Sequence, residues 1–317
     1  MSMEKSPVIH HVSVINDHVK ESFSFYSNVL GLDLLMKTVN QDDVEMYHLF
    51  FSDTEGRPGT EFTIFPMKHG MRKQFGTNAI ERTLFAVPSV ESLHFWEKRL
   101  NGYDLFNCEI EEYNDSKILR FEDFAGVELG LVPINETVED HFPRVKDDIP
   151  LEHAIVGIHS VHLRARYPEA TIALLKEYYG LSVVKELENH FPVTVLSKEN
   201  SLFNQEIHVM EDKESQLAQE GVGSVHHIAL SVKEETELAE LEEKVNERNF
   251  VNSGIKNREL FQSFYFREPN GLLLETATED SPLSKESYEG LVFEEIPLYL
   301  PSFLEPKRDS IERHLRY

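Results

Sequence analysis

Short runs of alternating apolar and polar positions recur along this chain, each followed by a stretch with helical spacing. Ile9-His10-His11-Val12-Ser13-Val14-Ile15 reads as a strand of period two. Val225-His226-His227-Ile228-Ala229-Leu230-Ser231-Val232 repeats that arrangement after a turn at Gly221 and Gly223. Behind the first run, residues 19–30 set Phe23, Tyr26 and Leu30 at helical spacing, and Gly31 stops the helix. Residues 32–39, 45–51 and 61–65 follow as strands, with Gly56 and Pro58-Gly59 punctuating the last turn.

The same order returns three times. A strand at 80–87 precedes a helix at 89–100, with Leu93, Trp96 and Leu100 on one face, and strands at 117–121 and 127–132. A third copy begins at Gly157, passes through a helix over 168–179 that ends at Gly180, and finishes near residues 206–210. The fourth runs from Val225 through a charged helix to Gly271-Leu272-Leu273-Leu274-Glu275-Thr276. Numbering supports a duplication: Gly31 and Gly180 differ by 149, whereas Phe121 and Phe266, like Gly126 and Gly271, differ by 145. The expected fold is therefore α+β: four βαβββ modules in two tandem halves, paired into cupped, barrel-like mixed sheets flanked by helices. Residues 1–148 form the first pair of modules and 149–290 the second, joined through the charged, proline-bearing segment 136–154. Residues 291–317, with Pro297, Pro301 and Pro306, form a tail expected to pack on the body and end in a short helix at 308–315.

With 317 residues, 40% of them hydrophobic and 27% charged, the chain suits such a globular pair. Its net charge of -25 disfavours nucleic acid and anionic membrane surfaces as partners. A single cysteine, Cys108, rules out an internal disulfide and a thiolate metal cluster. There is neither an apolar run of membrane-spanning length nor a signal-peptide pattern, so a cytoplasmic location is expected.

Candidate chemistry lies in the inequality of the copies. Shifting His11 by 149 gives Ser160, and shifting Arg82 by 145 gives His227; Gly130 shifted by 145 gives Glu275. One set of equivalent positions thus holds two imidazoles and a carboxylate, and the other has lost them. Side chains two apart share a face of a strand, so His11 and His227 converge if their strands meet. Two histidines and one carboxylate, with coordination positions left open, suit Fe(II) that must also bind substrate and dioxygen; Mn(II) fits the same donors. His48, His94, His159, His162 and His208 read as structural histidines, and the glutamates of 234–243 as a solvated helix face.

The repeat resembles the vicinal oxygen chelate (glyoxalase/bleomycin resistance/dioxygenase) superfamily. More narrowly, His10-His11-Val12-Ser13, residues 38–43, Tyr47-His48-Leu49, Pro58-Gly59-Thr60, Phe65-Pro66, Val225-His226-His227-Ile228-Ala229, Arg258, Ser263-Phe264-Tyr265-Phe266-Arg267 and Glu275 resemble bacterial hydroquinone-type ring-cleaving dioxygenases. The resemblance implies Fe(II) on His11, His227 and Glu275, O2 as co-substrate, and a small aromatic diol. His226 would serve as general acid or base, Tyr265 and Arg258 would orient the substrate, and His10 and Ser13 would line the pocket. In a regular strand, however, His10 and His226 point away from their ligand neighbours. A catechol extradiol dioxygenase, a non-oxidative metalloenzyme of the superfamily and a metal-free small-molecule binder stand as alternatives, and a homodimer is the default assembly.

Overall fold

The computed structural model describes residues 5–138, 141–188, 190–279 and 288–315. Module one comprises β1 (Ile9–Asn16), α1 (Val19–Phe23), β2 (Asp33–Val39), β3 (Tyr47–Ser52) and β4 (Glu61–Pro66). Module two holds β5 (Ala79–Val87), α2 (Val90–Asn101), β6 (Glu109–Tyr113), β7 (Ser116–Glu122) and β8 (Glu128–Pro133). Module three holds β9 (Gly157–Ala165), α3 (Pro168–Tyr179), β10 (Ser182–Leu187), β11 (Val193–Ser197) and β12 (Glu206–Glu211). Module four holds β13 (Val225–Val232), α4 (Glu235–Glu247), β14 (Lys256–Asn257), β15 (Gln262–Arg267) and β16 (Leu273–Thr278), and the tail carries α5 (Arg308–Leu315). No helix among the described residues is long and apolar enough to cross a membrane.

The strands form two curled eight-stranded sheets, and their order fixes where the site can be. One sheet runs β14-β15-β16-β13-β1-β4-β3-β2 and the other β10-β11-β12-β9-β5-β8-β7-β6. Each sheet therefore takes one module from either tandem half: module one pairs with four, and two with three. The joints are antiparallel, β1 with β13 and β5 with β9. All eight residues of β1 are buried, because one face meets the core and the other lines the cup.

The core lies between the sheets and the helices. Tyr26 stacks on Phe62 with ring centroids 5.1 Å apart, and Phe62 meets Phe85 of the other sheet at 5.2 Å. Leu93, Trp96 and Leu100 are buried as their spacing predicts, and the Trp96 indole donates to the His153 carbonyl at 2.7 Å. The first helix departs from expectation. After Phe23 it widens into a π-helix over Ser24–Val29, with Leu30 N–H donating to the Phe25 carbonyl. The extra residue per turn lets Phe25, Tyr26 and Val29 all face inward and brings the Tyr26 hydroxyl to Asp123, 2.8 Å away.

Candidate metal centre

β1, β13 and β16 lie side by side, and their register sets His11, Ala229 and Glu275 in one row across the sheet. His227 stands two residues before Ala229 on the same face. The small Ala229 side chain leaves the space over it empty, and the three functional groups converge there. His11 Nε2 and His227 Nε2 are each 3.0 Å from Glu275 Oε2 and 3.3 Å from one another. Donors bonded to one cation at about 2.1 Å, on adjacent octahedral positions, sit about 3.0 Å apart, so the spacing fits a shared ion. Both Glu275 carboxylate oxygens are buried and no donor is aligned on them as a hydrogen bond. Two ring nitrogens and a carboxylate oxygen thus converge on one place. A second grouping, His10, His11 and Glu61, is less suited. There His10 Nδ1 is 3.8 Å from Glu61 Oε2, and burial pushes the Glu61 carboxyl up to about 7, so it holds a proton much of the time at neutral pH.

His11 and His227 are each backed by the histidine before them. His10 Nδ1 lies 3.0 Å from His11 Nδ1, and His226 Nδ1 lies 2.7 Å from His227 Nδ1. Coordination through Nε2 places the ligand's own proton on Nδ1, which donates to its neighbour and fixes the ring. A register shift between Ile9 and His11 turns the His10 ring back toward His11, and a further hydrogen bond to the Thr278 backbone secures it. That bulge resolves the expectation that His10 would point away. Burial holds His10 down to about 3 and His227 to about 4. Burial also opposes a charge on His11, but the Glu275 carboxylate outweighs it and raises the pKa. Glu275 is likewise held well below its usual range, against burial, by the same pairing.

His11 and His227 of the triad line a cavity of about 390 Å³, together with His48, Phe65, His226, Arg258 and Tyr265, among others. Tyr265 is set edge-on to His227, with ring centroids 5.3 Å apart, and the Arg258 guanidinium lies 5.3 Å from the Tyr265 ring centroid. Arg258 pairs with Asp42 at 3.1 Å, while its buried Nε has no partner. His226 lines this cavity and a second one of about 370 Å³, where its Nε2 is 4.0 Å from Glu220. Two predicted residues stand behind the wall rather than in it. His10 is buried against Phe261, and Ser13 hydrogen-bonds Thr63 at 2.6 Å. Thr63 in turn meets His48 Nε2 at 2.9 Å. His48, read from sequence as structural, faces the cavity between Phe50 and Phe65, each 4.1 Å from its ring. The Tyr47-His48-Leu49 run was the only signal for it.

Known proteins share this chain's fold and sequence. Residues 8–129 match the model of the Glyoxalase/Bleomycin resistance protein/Dioxygenase superfamily. A Bacillus subtilis protein named "Putative ring-cleaving dioxygenase MhqA" is 34% identical over 97% of this chain and 98% of its own length. The chain belongs to the glyoxalase/bleomycin resistance protein/dioxygenase superfamily. A crystal structure titled as a putative dioxygenase from Bacillus subtilis superposes with a TM-score of 0.86 at 28% identity, covering 99% of this chain and 98% of that one. The "Chlorohydroquinone/hydroquinone 1,2-dioxygenase" of Sphingobium indicum is 25% identical over 91% of this chain and 90% of its own.

In this member of the superfamily the second cup lacks the same donor set. The row His11–Ala229–Glu275 corresponds there to Ser160–Leu84–Gly130, with Arg82 in place of His227. A Cβ on Gly130 would stand 2.4 Å from Leu84 Cδ2 and 2.8 Å from the Leu119 carbonyl oxygen, so no carboxylate fits. The space is taken by Tyr113, His162 and His208, stacked with the two imidazole centroids 4.5 Å apart.

Proposed function

We propose that this chain opens the ring of a hydroquinone-type aromatic diol with O2, using Fe(II) held by His11, His227 and Glu275. The observation that carries the reading is the three-donor triangle facing a cavity furnished with one unpaired guanidinium N–H, a phenol and two further imidazoles. The names of the Bacillus and Sphingobium relatives support it. When bound, Fe(II) supplies the redox chemistry that lets a closed-shell diol react with triplet dioxygen; Mn(II) suits the same donors.

The chain's own residues bind, orient and move protons. Arg258 donates through Nε to a substrate oxygen, and its pairing with Asp42 keeps the guanidinium in place. Tyr265, whose pKa burial holds well above the ordinary value, stays protonated and donates its O–H. Because His226 Nδ1 accepts from His227, its proton resides on Nε2. His226 therefore presents an Nε2–H donor beside Glu220, and it gives up a proton as a general acid only after a second proton reaches its ring from that side. His10 and Ser13 act at one remove: His10 orients His11, and Ser13 holds Thr63 and through it His48.

Anaerobic loading with Fe(II) followed by oxygen-electrode assays on hydroquinones and catechols tests the proposal. Stoichiometric O2 uptake on hydroquinones is expected. Uptake on catechols alone would move the assignment to an extradiol enzyme, and no uptake on either would end it.

A further inference from the structure

The cavity is larger than a bare diol needs, and its surplus is apolar. A cavity of about 150 Å³ accommodates benzene, well under half of the roughly 390 Å³ of this one. By that ratio, after a dihydroxybenzene and dioxygen are placed, room is left for about five more non-hydrogen atoms. One part of the wall is an apolar cluster in which Met36 and Phe50 pack with Leu260 and Tyr299, and Pro301 extends the lining. Beyond the imidazoles, Arg258 and Tyr265, polar lining comes from Thr38, the loop Asn40–Gln41–Asp42, Ser253 and exposed Lys256.

The wall is built from three parts of the chain and is held rigidly. Met36 and Phe50 come from adjacent strands of module one, where they are cross-strand partners. Leu260 precedes β15 of module four. Tyr299 belongs to the tail, which lies outside the repeat. Its N–H donates to the Lys37 carbonyl at 2.9 Å, and Ser302 N–H donates to Glu259 at 3.1 Å, so the tail bridges modules one and four over the cup. Leu300, Leu304 and Ile311 anchor it on Val39. The tail thus shapes the part of the cavity that the triad does not.

Resting on the hydroquinone reading above, we infer that the ring substrate carries a bulky apolar substituent, a branched alkyl or aryl group of about four to six carbons, seated on the Met36–Phe50–Leu260–Tyr299 wall. Burial of such a group strengthens binding roughly fourfold per methylene.

Calorimetric titration of the Fe(II)-loaded protein under strict anaerobiosis, where turnover is blocked, reads the binding step directly. The ligands are hydroquinone, tert-butylhydroquinone, phenylhydroquinone and 2,5-dihydroxybenzoate. At least tenfold tighter Kd for the tert-butyl or phenyl compound than for hydroquinone is the expected result. Leu260→Trp should bring that ratio close to one by filling the space; Met36→Phe provides the same readout through a smaller change should the tryptophan variant not fold. Equal Kd values for substituted and bare diols, or tightest binding of the carboxylate, would overturn the inference while leaving the hydroquinone reading intact if oxygen uptake persists. Failure of every diol both to bind and to consume O2 would overturn the two together.

Discussion

Gln205 joins the second sheet to the strand that carries His11, and its replacement should be costly. Its side chain is fully buried just before β12. Oε1 accepts from Val8 N–H at 2.7 Å and Ile9 N–H at 2.9 Å, and Nε2 donates to the Ile158 carbonyl at 2.9 Å. Gln205→Leu keeps the bulk but strands two buried N–H groups, each costing about 1–3 kcal/mol, and leaves the Ile158 carbonyl short of a donor. The expected loss is about 4 kcal/mol. Unfolding entropy of about 2.1 cal/mol/K per residue over 317 residues converts this to a fall in Tm of about 6 °C. Because Ile9 leads directly into the His10–His11 bulge, Fe(II) affinity should also fall, by roughly tenfold, as for other changes that loosen a ligand's support. Urea unfolding of the metal-free protein reads the first quantity and metal titration the second. A loss below about 1 kcal/mol with an unchanged m-value would refute the view that this amide couples the two sheets.

Other expectations follow from the same geometry. Gly130→Ala should destabilise by about 1–3 kcal/mol through overpacking against Leu84 and the Leu119 carbonyl, and should bind no second metal equivalent; a neutral effect on Tm would show that the second cup is looser than described. His48→Phe keeps the stacking on Phe50 and Phe65 but removes the ring nitrogens; it should lower kcat/KM by about tenfold, the value of one hydrogen bond, with iron content unchanged. Burial holds the His162 pKa well below 6.5, so the folded chain binds fewer protons than the unfolded one as pH falls beneath that value. Stability is therefore lost as pH falls from about 6.5 toward the depressed folded pKa, at up to about 1.4 kcal/mol per pH unit for this group. His162→Gln should flatten the dependence of urea stability on pH between about 6.5 and 5 by that slope relative to the parent protein, and identical slopes would contradict the assignment.

The strands bearing His11, His227 and Glu275 are legible because burial on both faces forces continuous apolar runs, in which these three residues stand out. The repeat arithmetic then matched them, and the register of both sheets bears out the equivalences drawn from it. Strands β6 and β10 left no comparable signal. Glu109–Tyr113 and Ser182–Leu187 lie at sheet edges, are largely exposed or half-buried, and so carry little apolar pattern. Which modules share a sheet is a long-range property, set by the β1–β13 and β5–β9 ladders rather than by any local preference. The inward turn of His10 depends on a bulge, and bulges arise from pairing with a partner strand. His48 reads as structural because a single buried histidine is usually a hydrogen-bonded core residue; only the tertiary packing opens its face to the cavity.

The claim on which the account rests is that one ion sits among His11, His227 and Glu275. Crystals grown from protein reconstituted anaerobically with Fe(II), measured on either side of the iron absorption edge, address it directly. An anomalous peak within about 2.0–2.3 Å of His11 Nε2, His227 Nε2 and a Glu275 carboxylate oxygen, and absent from Glu275→Ala crystals treated identically, is the predicted result. A peak lodged instead among His10, His11 and Glu61, or one that persists in Glu275→Ala, would contradict it.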